Sequence, residues 1–397
     1  MLLFSTRSQI LWWQVWGLAA VQGSITLAWI IYGAYLPKLL GDLGLPLTLG
    51  LKLLILESAL AVLMEPVMGG LSDRSYQWVG SRFPFIAIGI VLSSALFILI
   101  PAVVIFGSPT EIFRWLLVAV MVLWSLAMTV FRSPAIALLG RYSTPAELPL
   151  ATSVVTLVGG MTGAFRPLAN KFFLDNFPPM AIFALGSFIL LGAGAALRAA
   201  QIPETPSFTD TSKFQRRSIL FPLLLISVTG ILVGWGTRLL MDVLGKLIKL
   251  QAGAENFSLI MVSVGIVLAL LALPAGKIAT KFGNQLVLLI SLGMTCGGLL
   301  LMGVQPNLLW LGALLMIPAF SAIANGVIPW ILNLVPSDKS GLGIGSYFGG
   351  FSAAIAIFNL IFIDPGAIPP LTGAMYGAAA FAIAMVSVKM ATPNQAV

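Results

Sequence analysis

Long apolar stretches separated by short polar connections recur along the whole chain. A helix needs about 20 apolar residues to cross the hydrocarbon core of a bilayer. The sequence holds twelve stretches of that kind, with approximate bounds 11–36, 48–71, 84–106, 113–139, 149–171, 179–200, 218–243, 256–276, 284–304, 307–333, 341–363 and 370–389. The pattern predicts an all-α membrane protein with twelve transmembrane helices and both termini on the same side.

The polar connections divide the predicted helices into two sets of six. The longest connection predicts a linker at 201–217 between domains 1–200 and 218–397. The loop GGLSDRSYQWVGSR after helix two has a weaker counterpart, AGKIATKFGNQ, after helix eight, and RYSTPAELPLAT resembles VPSDKSGLGIGS. Repeats of this kind predict two pseudo-symmetric six-helix bundles with a solute site between them, near the middle of the bilayer.

Composition supports the membrane assignment and excludes several kinds of chemistry. The 397 residues are 59% hydrophobic and 9% charged, with a mean hydropathy of +1.04. Because the chain has no histidine and a single cysteine, we expect no metal site built on these residues, no cofactor and no enzyme activity. The glycine-rich runs lack the GK[ST] of a phosphate loop, which argues against a pump driven by ATP.

Basic residues indicate the orientation of the chain in the membrane. The connections on one side of the membrane hold about twice as many Lys and Arg as those on the other side. The basic residues on the richer side are Arg7, Arg74, Arg82, Arg141, Arg198, Lys213, Arg216, Arg217, Lys277, Lys281, Lys339 and Lys389. We therefore attribute the formal charge of +8 to topology, not to nucleic-acid binding. We predict a monomeric, multi-pass protein of the cytoplasmic (inner) membrane with both termini cytoplasmic; a thylakoid or other internal membrane is the alternative.

The loop between helices two and three carries a family resemblance. Small residues end helix two, GGLSDR follows, and GSRFPF opens helix three. This arrangement resembles the signature of the major facilitator superfamily and implies its transporter fold. The RFPFI variant looks most like the branch of plant sucrose transporters and glycoside-pentoside-hexuronide cation symporters.

The same loop predicts a gating cluster. Gly69 and Gly70 allow two helices to approach closely. Asp73 can accept hydrogen bonds from Arg74, Arg82 or the amides of a helix end, so we expect a charge cluster that rearranges when the two halves rock.

Ionisable residues inside the membrane are candidates for function, because each costs about 2.5–3.5 kcal/mol to insert. They are Glu57, Glu65, Arg132, Arg166, Arg238 and Asp242. At 1.5 Å per residue, Glu65 and Arg132 lie about 9 and 10 Å from the cytoplasmic ends of helices two and four, and we predict that they pair. Glu57 and Arg166, about 21 and 25 Å up, form a second possible pair.

A further resemblance concerns coupling. The melibiose-type symporters are similar at EPVMG, where an acidic residue followed by proline helps to bind the coupling cation; Glu65 and Pro66 occupy that place. We predict that Glu65 carries a proton or another monovalent cation, because an approaching arginine changes how strongly a carboxylate holds a proton. The alternative is that Glu65 only neutralises Arg132 and joins two helices.

Departures from the melibiose-type pattern bear on the solute. Their helix-four aspartate is replaced by Arg132, and their helix-one aspartate has no counterpart, since the polar residue there is Gln22. A sugar held by paired carboxylates is therefore disfavoured, and an anionic or zwitterionic solute fits as well as a neutral one. We predict a cavity lined by Gln22, Tyr32, Asn325, Trp330, Asn333 and Asn359. Arg238 and Asp242, spaced i,i+4, are expected to pair as an outer gate.

These features predict a secondary active transporter that moves a small polar solute, a sugar or a related organic compound, by alternating access with proton coupling. The alternatives are delivery of a chlorophyll-type pigment or a photosynthetic assembly factor that retains the fold without turnover.

Overall fold

The computed structural model describes residues 10–201, 219–362 and 368–391, and this part of the chain contains helices and no strands. The predicted linker, except for Gln201, lies outside the described residues. So do four of the basic residues used to predict orientation: Arg7, Lys213, Arg216 and Arg217.

Thirteen α-helices form the described chain. In the first half they are α1 Trp12–Asp42, α2 Thr48–Val79, α3 Phe83–Phe106, α4 Glu111–Ala137, α5 Leu139–Tyr142, α6 Leu148–Ala164, α7 Arg166–Asn176 and α8 Pro179–Ala200. In the second half they are α9 Leu220–Phe282, α10 Asn284–Val304, α11 Leu309–Leu334, α12 Ser340–Ile361 and α13 Pro370–Met390. Short 3-10 turns at Pro306–Leu308 and Ser337–Lys339 precede α11 and α12.

The long helix α9 is two helices that meet at Gly253. Gly253 has φ 80° and ψ 160°, a conformation that glycine adopts without steric cost. A Cβ added at Gly245 would lie 3.5 Å from the Phe257 ring. In a straight helix these two positions would be about 18 Å apart, so the chain folds back at Gly253. Residues 220–252 are called the first arm of α9 and residues 254–282 the second arm.

The fifth predicted span is broken. It comprises α6 and α7, which are bent by 54° at Phe165. Pro167 explains the break, because proline lacks an N–H and its ring clashes with the carbonyl four residues earlier.

Nine described helices are long and apolar enough to cross a membrane, or ten if the bent pair α6 and α7 is one span. This count treats α9 as one helix and does not include α2. With the two arms of α9 counted separately and α2 included, the described chain has the twelve spans that the sequence predicts.

Within each half, helices pack against one another in a similar plan. In the first half α1 contacts α6 and α8, and α3 contacts α4 and α8. In the second half α9 contacts α12 and α13, and α10 contacts α11 and α13. The halves meet where α2 packs on α12 and where α6 packs on the second arm of α9. Counted as membrane spans, α2 and α12 are spans two and eleven, and α6 and the second arm of α9 are spans five and eight. Spans two and five of the first half correspond to spans eight and eleven of the second, so the repeat converts each contact into the other.

The contact between α2 and α12 is a backbone-to-backbone contact. A Cβ at Gly69 would collide with the carbonyl oxygen of Gly341, and one at Gly345 would collide with that of Glu65. One at Gly349 would stand 2.7 Å from the carbonyl oxygen of Val62. Small residues let the helices approach closely here. We call the side of the bundle that carries Asp73 the Asp73 end and the opposite side the Gly253 end.

We predict that Gly69→Ala separates the halves at the Asp73 end, because the added methyl group overpacks this contact at a cost of about 1–3 kcal/mol. Spin labels at Trp78→Cys and Ser337→Cys, in a Cys296→Ser background, measure the separation, which should increase. Gly33→Ala is the matched control, since no atom lies within 4 Å of its added Cβ. An unchanged distance in Gly69→Ala would contradict the importance of this contact.

Candidate solute pathway and charged centres

Asp73 is the centre of a buried cluster that joins the two halves. Its Oδ1 accepts hydrogen bonds from the Arg82 side chain at 2.7 and 3.2 Å and from the Gly341 amide at 2.9 Å, and its Oδ2 accepts one from the Leu342 amide at 2.8 Å. Both amides lie in the first turn of α12, where N–H groups lack helical partners and the helix dipole favours negative charge. Arg74 is exposed and takes no part in this network. Gly70 packs against the Leu342 side chain.

Further hydrogen bonds close the Asp73 end. Arg82 donates to the Ser337 carbonyl oxygen at 3.1 Å, Gln77 to Asp338 at 3.4 Å and Asn325 to the Pro149 carbonyl oxygen at 3.0 Å. Among hydrogen bonds between described residues, those that link the halves all lie toward this end. The structure is therefore closed at the Asp73 end.

Glu65 and Arg132 meet inside the first half. The Arg132 Nε lies 3.3 Å from the Glu65 Oε1, and the Ser133 hydroxyl donates to the Glu65 Oε2. Glu65 is fully buried, whereas the Arg132 side chain keeps 22% of its exposure. The Arg132 guanidinium lies 3.9 Å from the centre of the Phe348 ring, which belongs to α12 in the other half. The ion pair therefore touches the interface between the halves.

Glu57 does not pair with Arg166 in this structure, contrary to the second predicted pair. Its Oε1 accepts a hydrogen bond from the Tyr32 hydroxyl at 2.6 Å, and its Oε2 has no hydrogen-bond partner among the described residues. Tyr32 is fully buried against Trp124, with ring centres 4.7 Å apart, so it supports Glu57 and does not line an open cavity.

The predicted pairing of Arg238 with Asp242 is also wrong for this conformation. Asp242 instead forms a 2.6 Å ion pair with Lys246, one turn further along α9. Lys246 is fixed by donating to the Ile368 carbonyl oxygen at 2.7 Å. Arg238 is exposed and lies 5.2 Å from the Phe358 ring. In the sequence Asp242 has a basic residue four positions away on either side, Arg238 and Lys246. The hydrogen bond of Lys246 to the Ile368 carbonyl oxygen favours the pair with Lys246.

The remaining predicted cavity residues differ in burial and in hydrogen bonding. Gln22 is half-buried against Gly159, and Trp330 is buried. Among the described residues, neither the Gln22 Oε1 nor the Trp330 indole N–H has a hydrogen-bond partner. Asn325 is buried and bridges the halves, and Asn359 is buried in α12. Asn333 was predicted at depth but is exposed in the last turn of α11.

A family model of the Major Facilitator Superfamily matches residues 18–248, which is more than half of the chain. The chain belongs to the Major Facilitator Superfamily. Members of this family are transporters, and the all-helical fold described above is the facilitator fold. No curated protein sequence shows significant similarity to the chain. The match is to the superfamily, so the resemblance to the sucrose transporter and glycoside-pentoside-hexuronide branch stays a prediction.

Solved facilitator structures are similar to the chain over nearly its whole length. A human organic anion transporter is 14% identical, covers 95% of this chain and 99% of its own, and has a TM-score of 0.71. The proton:xylose symporter XylE is 12% identical, with 94% of each chain covered and a TM-score of 0.72. The E. coli fucose:proton symporter is 14% identical, with 97% and 100% covered and a TM-score of 0.68. At these identities the likeness shows the fold alone.

Two contacts of this facilitator were not predicted from its sequence. One is the hydrogen bond of Ser133 to Glu65, although the place of Ser133 next to Arg132 in the sequence puts a hydroxyl beside the predicted ion pair. The other is the contact of Phe348 with Arg132, which depends on how the two halves of the facilitator pack.

We predict that Asp73→Asn weakens closure of the Asp73 end. The amide leaves Arg82, whose side chain is 1% exposed, without its counter-charge, and breaking a buried pair costs about 3–5 kcal/mol. Hydrogen–deuterium exchange over residues 337–345 should become faster, because the Gly341 and Leu342 amides lose a charged acceptor. Asp338→Asn removes a charge from the exposed edge of the same interface but keeps an oxygen that can accept the hydrogen bond of Gln77, so it should leave the exchange unchanged. Equal protection in Asp73→Asn and wild type would refute this role.

Proposed function

We propose that the protein is a secondary active transporter that carries a small polar organic solute, a sugar or a related compound, by alternating access. Proton binding at Glu65 couples the ion gradient to solute movement. The transporter acts as a monomer in the cytoplasmic membrane.

The observation that carries the proposal is the Glu65–Arg132 pair. A carboxylate without exposed surface, 3.3 Å from a guanidinium that is partly exposed, is a site where a proton and an arginine compete. Proton binding would neutralise Glu65 and release Arg132, and proton loss would restore the pair. The hydroxyl of Ser133 can stay bonded in either state, because a hydroxyl both donates and accepts.

Packing links this pair to closure of the Asp73 end. Gly345 of α12 rests on the Glu65 carbonyl oxygen, and Phe348, one turn of helix away, covers the Arg132 guanidinium. Separation of α2 from α12 would therefore uncover Arg132 and admit water to Glu65. In this way the protonation state of Glu65 and the opening of the Asp73 end bias each other.

The solved facilitators support proton coupling without fixing the solute. Two of them are described as proton symporters of the sugars xylose and fucose. Others are an organic anion transporter and a bacterial homologue of the iron transporter ferroportin. The fold therefore accommodates solutes of several chemical classes.

The orientation in the membrane follows from the basic residues. Arg74, Arg82, Arg141 and Arg198 belong to the Asp73 end of the first half, and Lys277, Lys281, Lys339 and Lys389 to that of the second. By the positive-inside rule we place this end in the cytoplasm with both termini. The structure then represents a conformation closed to the cytoplasm.

We predict that Glu65→Gln abolishes accumulation of the solute driven by a proton gradient in proteoliposomes. Exchange of solute across the membrane, which needs no proton gradient, should be preserved. The amide keeps the shape and a hydrogen bond to Ser133, but it neither takes up a proton nor attracts Arg132 in the same way. The measurement is the pH inside the proteoliposomes while sugars, sugar acids and amino acids are added in turn. This pH should fall when the transported solute is added, and only with the wild-type protein.

Glu255→Gln is the matched control, because Glu255 is exposed beside the bend in α9. It should transport as wild type does. Unchanged accumulation in Glu65→Gln would refute coupling at Glu65, and would leave that residue the structural partner of Arg132.

A further inference from the structure

A pocket lies at the Gly253 end of the first half, where the connection between α1 and α2 meets the start of α4. Its volume is about 200 Å³. One buried water needs only about 10–15 Å³ of such space, so the pocket has room for a group of several atoms. The residues that line this α2–α4 pocket are Leu45, Leu49, Glu111, Arg114, Trp115 and Val118. All belong to the first half, so the pocket does not depend on how the two halves are arranged.

The surface beside the α2–α4 pocket faces the lipid chains. Beyond Glu111, the exposed residues of α4 recur every three or four positions and are all apolar: Ile112, Trp115, Leu116, Ala119 and Leu123. An exposed apolar stripe of this kind on a membrane helix is turned toward lipid, whereas polar groups face the interior of the bundle. Trp115, in the second turn of α4, lies near the level of the lipid headgroups, where indole rings are favoured.

Arg114 is held at the pocket by the connection between α1 and α2. Its Nε donates a hydrogen bond to the Leu43 carbonyl oxygen at 2.8 Å. Gly44, with φ 67°, passes beside the guanidinium, and a Cβ added there would lie 3.1 Å from the Arg114 Nη2. The two Nη groups form no hydrogen bond or ion pair with a described residue. Their N–H donors are therefore available to a ligand in the pocket.

Glu111 brings the opposite charge to the same pocket. It lies three positions before Arg114, a spacing at which side chains of a helix are neighbours. Glu111 is exposed and forms no hydrogen bond or ion pair with Arg114 or another described residue. The pocket therefore presents one positive and one negative group that do not neutralise each other. A simple anion is repelled by Glu111 and a simple cation by Arg114, whereas a ligand with both charges is attracted by both.

We propose that the α2–α4 pocket binds a zwitterionic phospholipid. The Nη groups of Arg114 bind the phosphate, because a guanidinium presents a planar fork that matches two phosphate oxygens. The ammonium group of the headgroup lies against Glu111. The acyl chains follow the apolar surface that begins at Leu49 and Val118 and continues along the lipid-facing stripe of α4. A lipid is favoured over a soluble zwitterion because the charged groups stand directly beside this stripe. The site is separate from the proposed transport function.

Native mass spectrometry of the full-length protein in detergent, titrated with lipid, tests the proposal. The probes are phosphatidylethanolamine and phosphatidylglycerol with identical acyl chains; the second has the phosphate but no ammonium group. Glycerophosphoethanolamine, which has the headgroup without the chains, is the third probe. We expect wild type to bind phosphatidylethanolamine about fivefold more tightly than phosphatidylglycerol, as expected for one partly exposed ion pair. Glycerophosphoethanolamine should bind far more weakly than either lipid, because it has no chains to bury.

Two variants separate the contributions of the two charges. Glu111→Gln should bind both lipids with equal affinity, because the ammonium contact is lost while the phosphate contact remains. Arg114→Gln should weaken binding of both lipids about tenfold or more, as expected for loss of a charge-assisted hydrogen bond. Asp175→Asn and Lys171→Gln are the matched controls, since they remove the same charges from exposed positions of α7 at the same end. Both controls should retain the affinity and the preference of wild type.

The proposal is overturned if wild type does not prefer phosphatidylethanolamine, if Glu111→Gln keeps the preference, or if Arg114→Gln binds both lipids as wild type does. Binding of glycerophosphoethanolamine as tight as that of the lipid would also overturn it, because the ligand would then be a soluble zwitterion. Arg114 also bonds to the Leu43 carbonyl oxygen, so its variant could disturb the fold. Glu111 has no such bond, and the loss of preference in its variant is therefore the deciding result.

Discussion

The carboxylate of Asp73, bound to the first turn of α12, is the interaction on which the arrangement of the two halves depends. Arg82 holds it from the first half, and the Gly341 and Leu342 amides hold it from the second. A buried carboxylate is stable here because a guanidinium and the positive end of a helix share its charge. The contact also specifies glycine at position 69, since the backbones of α2 and α12 must meet for Asp73 to reach the amides.

The same helix–helix contact connects closure with the charges inside the first half. From Asp73 toward the middle of the membrane, α12 covers Gly69, then the Glu65 carbonyl oxygen and then the Arg132 guanidinium. Movement of α12 away from α2 therefore exposes all three in one step.

The fold could be predicted well from the sequence and the candidate site only in part. Twelve spans follow from apolar length alone, and the Glu65–Arg132 contact follows from equal depth on helices two and four. The depth of a residue in the membrane does not say, however, which way its side chain points. Depth alone predicted a pair of Glu57 with Arg166, whereas the group that contacts Glu57 is Tyr32 of α1. Spacing is equally ambiguous for Asp242, which has a basic residue one turn away on each side, and only the contact of Lys246 with the Ile368 carbonyl oxygen favours one.

The central claim is that the two ends of the bundle open alternately. Spin labels at Trp78→Cys and Ser337→Cys report the Asp73 end, and labels at Asn176→Cys and Leu250→Cys, at exposed positions in α7 and α9, report the Gly253 end. Both distances should be measured in wild type and in Asp73→Asn. The account predicts that the variant lengthens the first distance and shortens the second. Lengthening of the first distance with no change in the second would contradict alternating access.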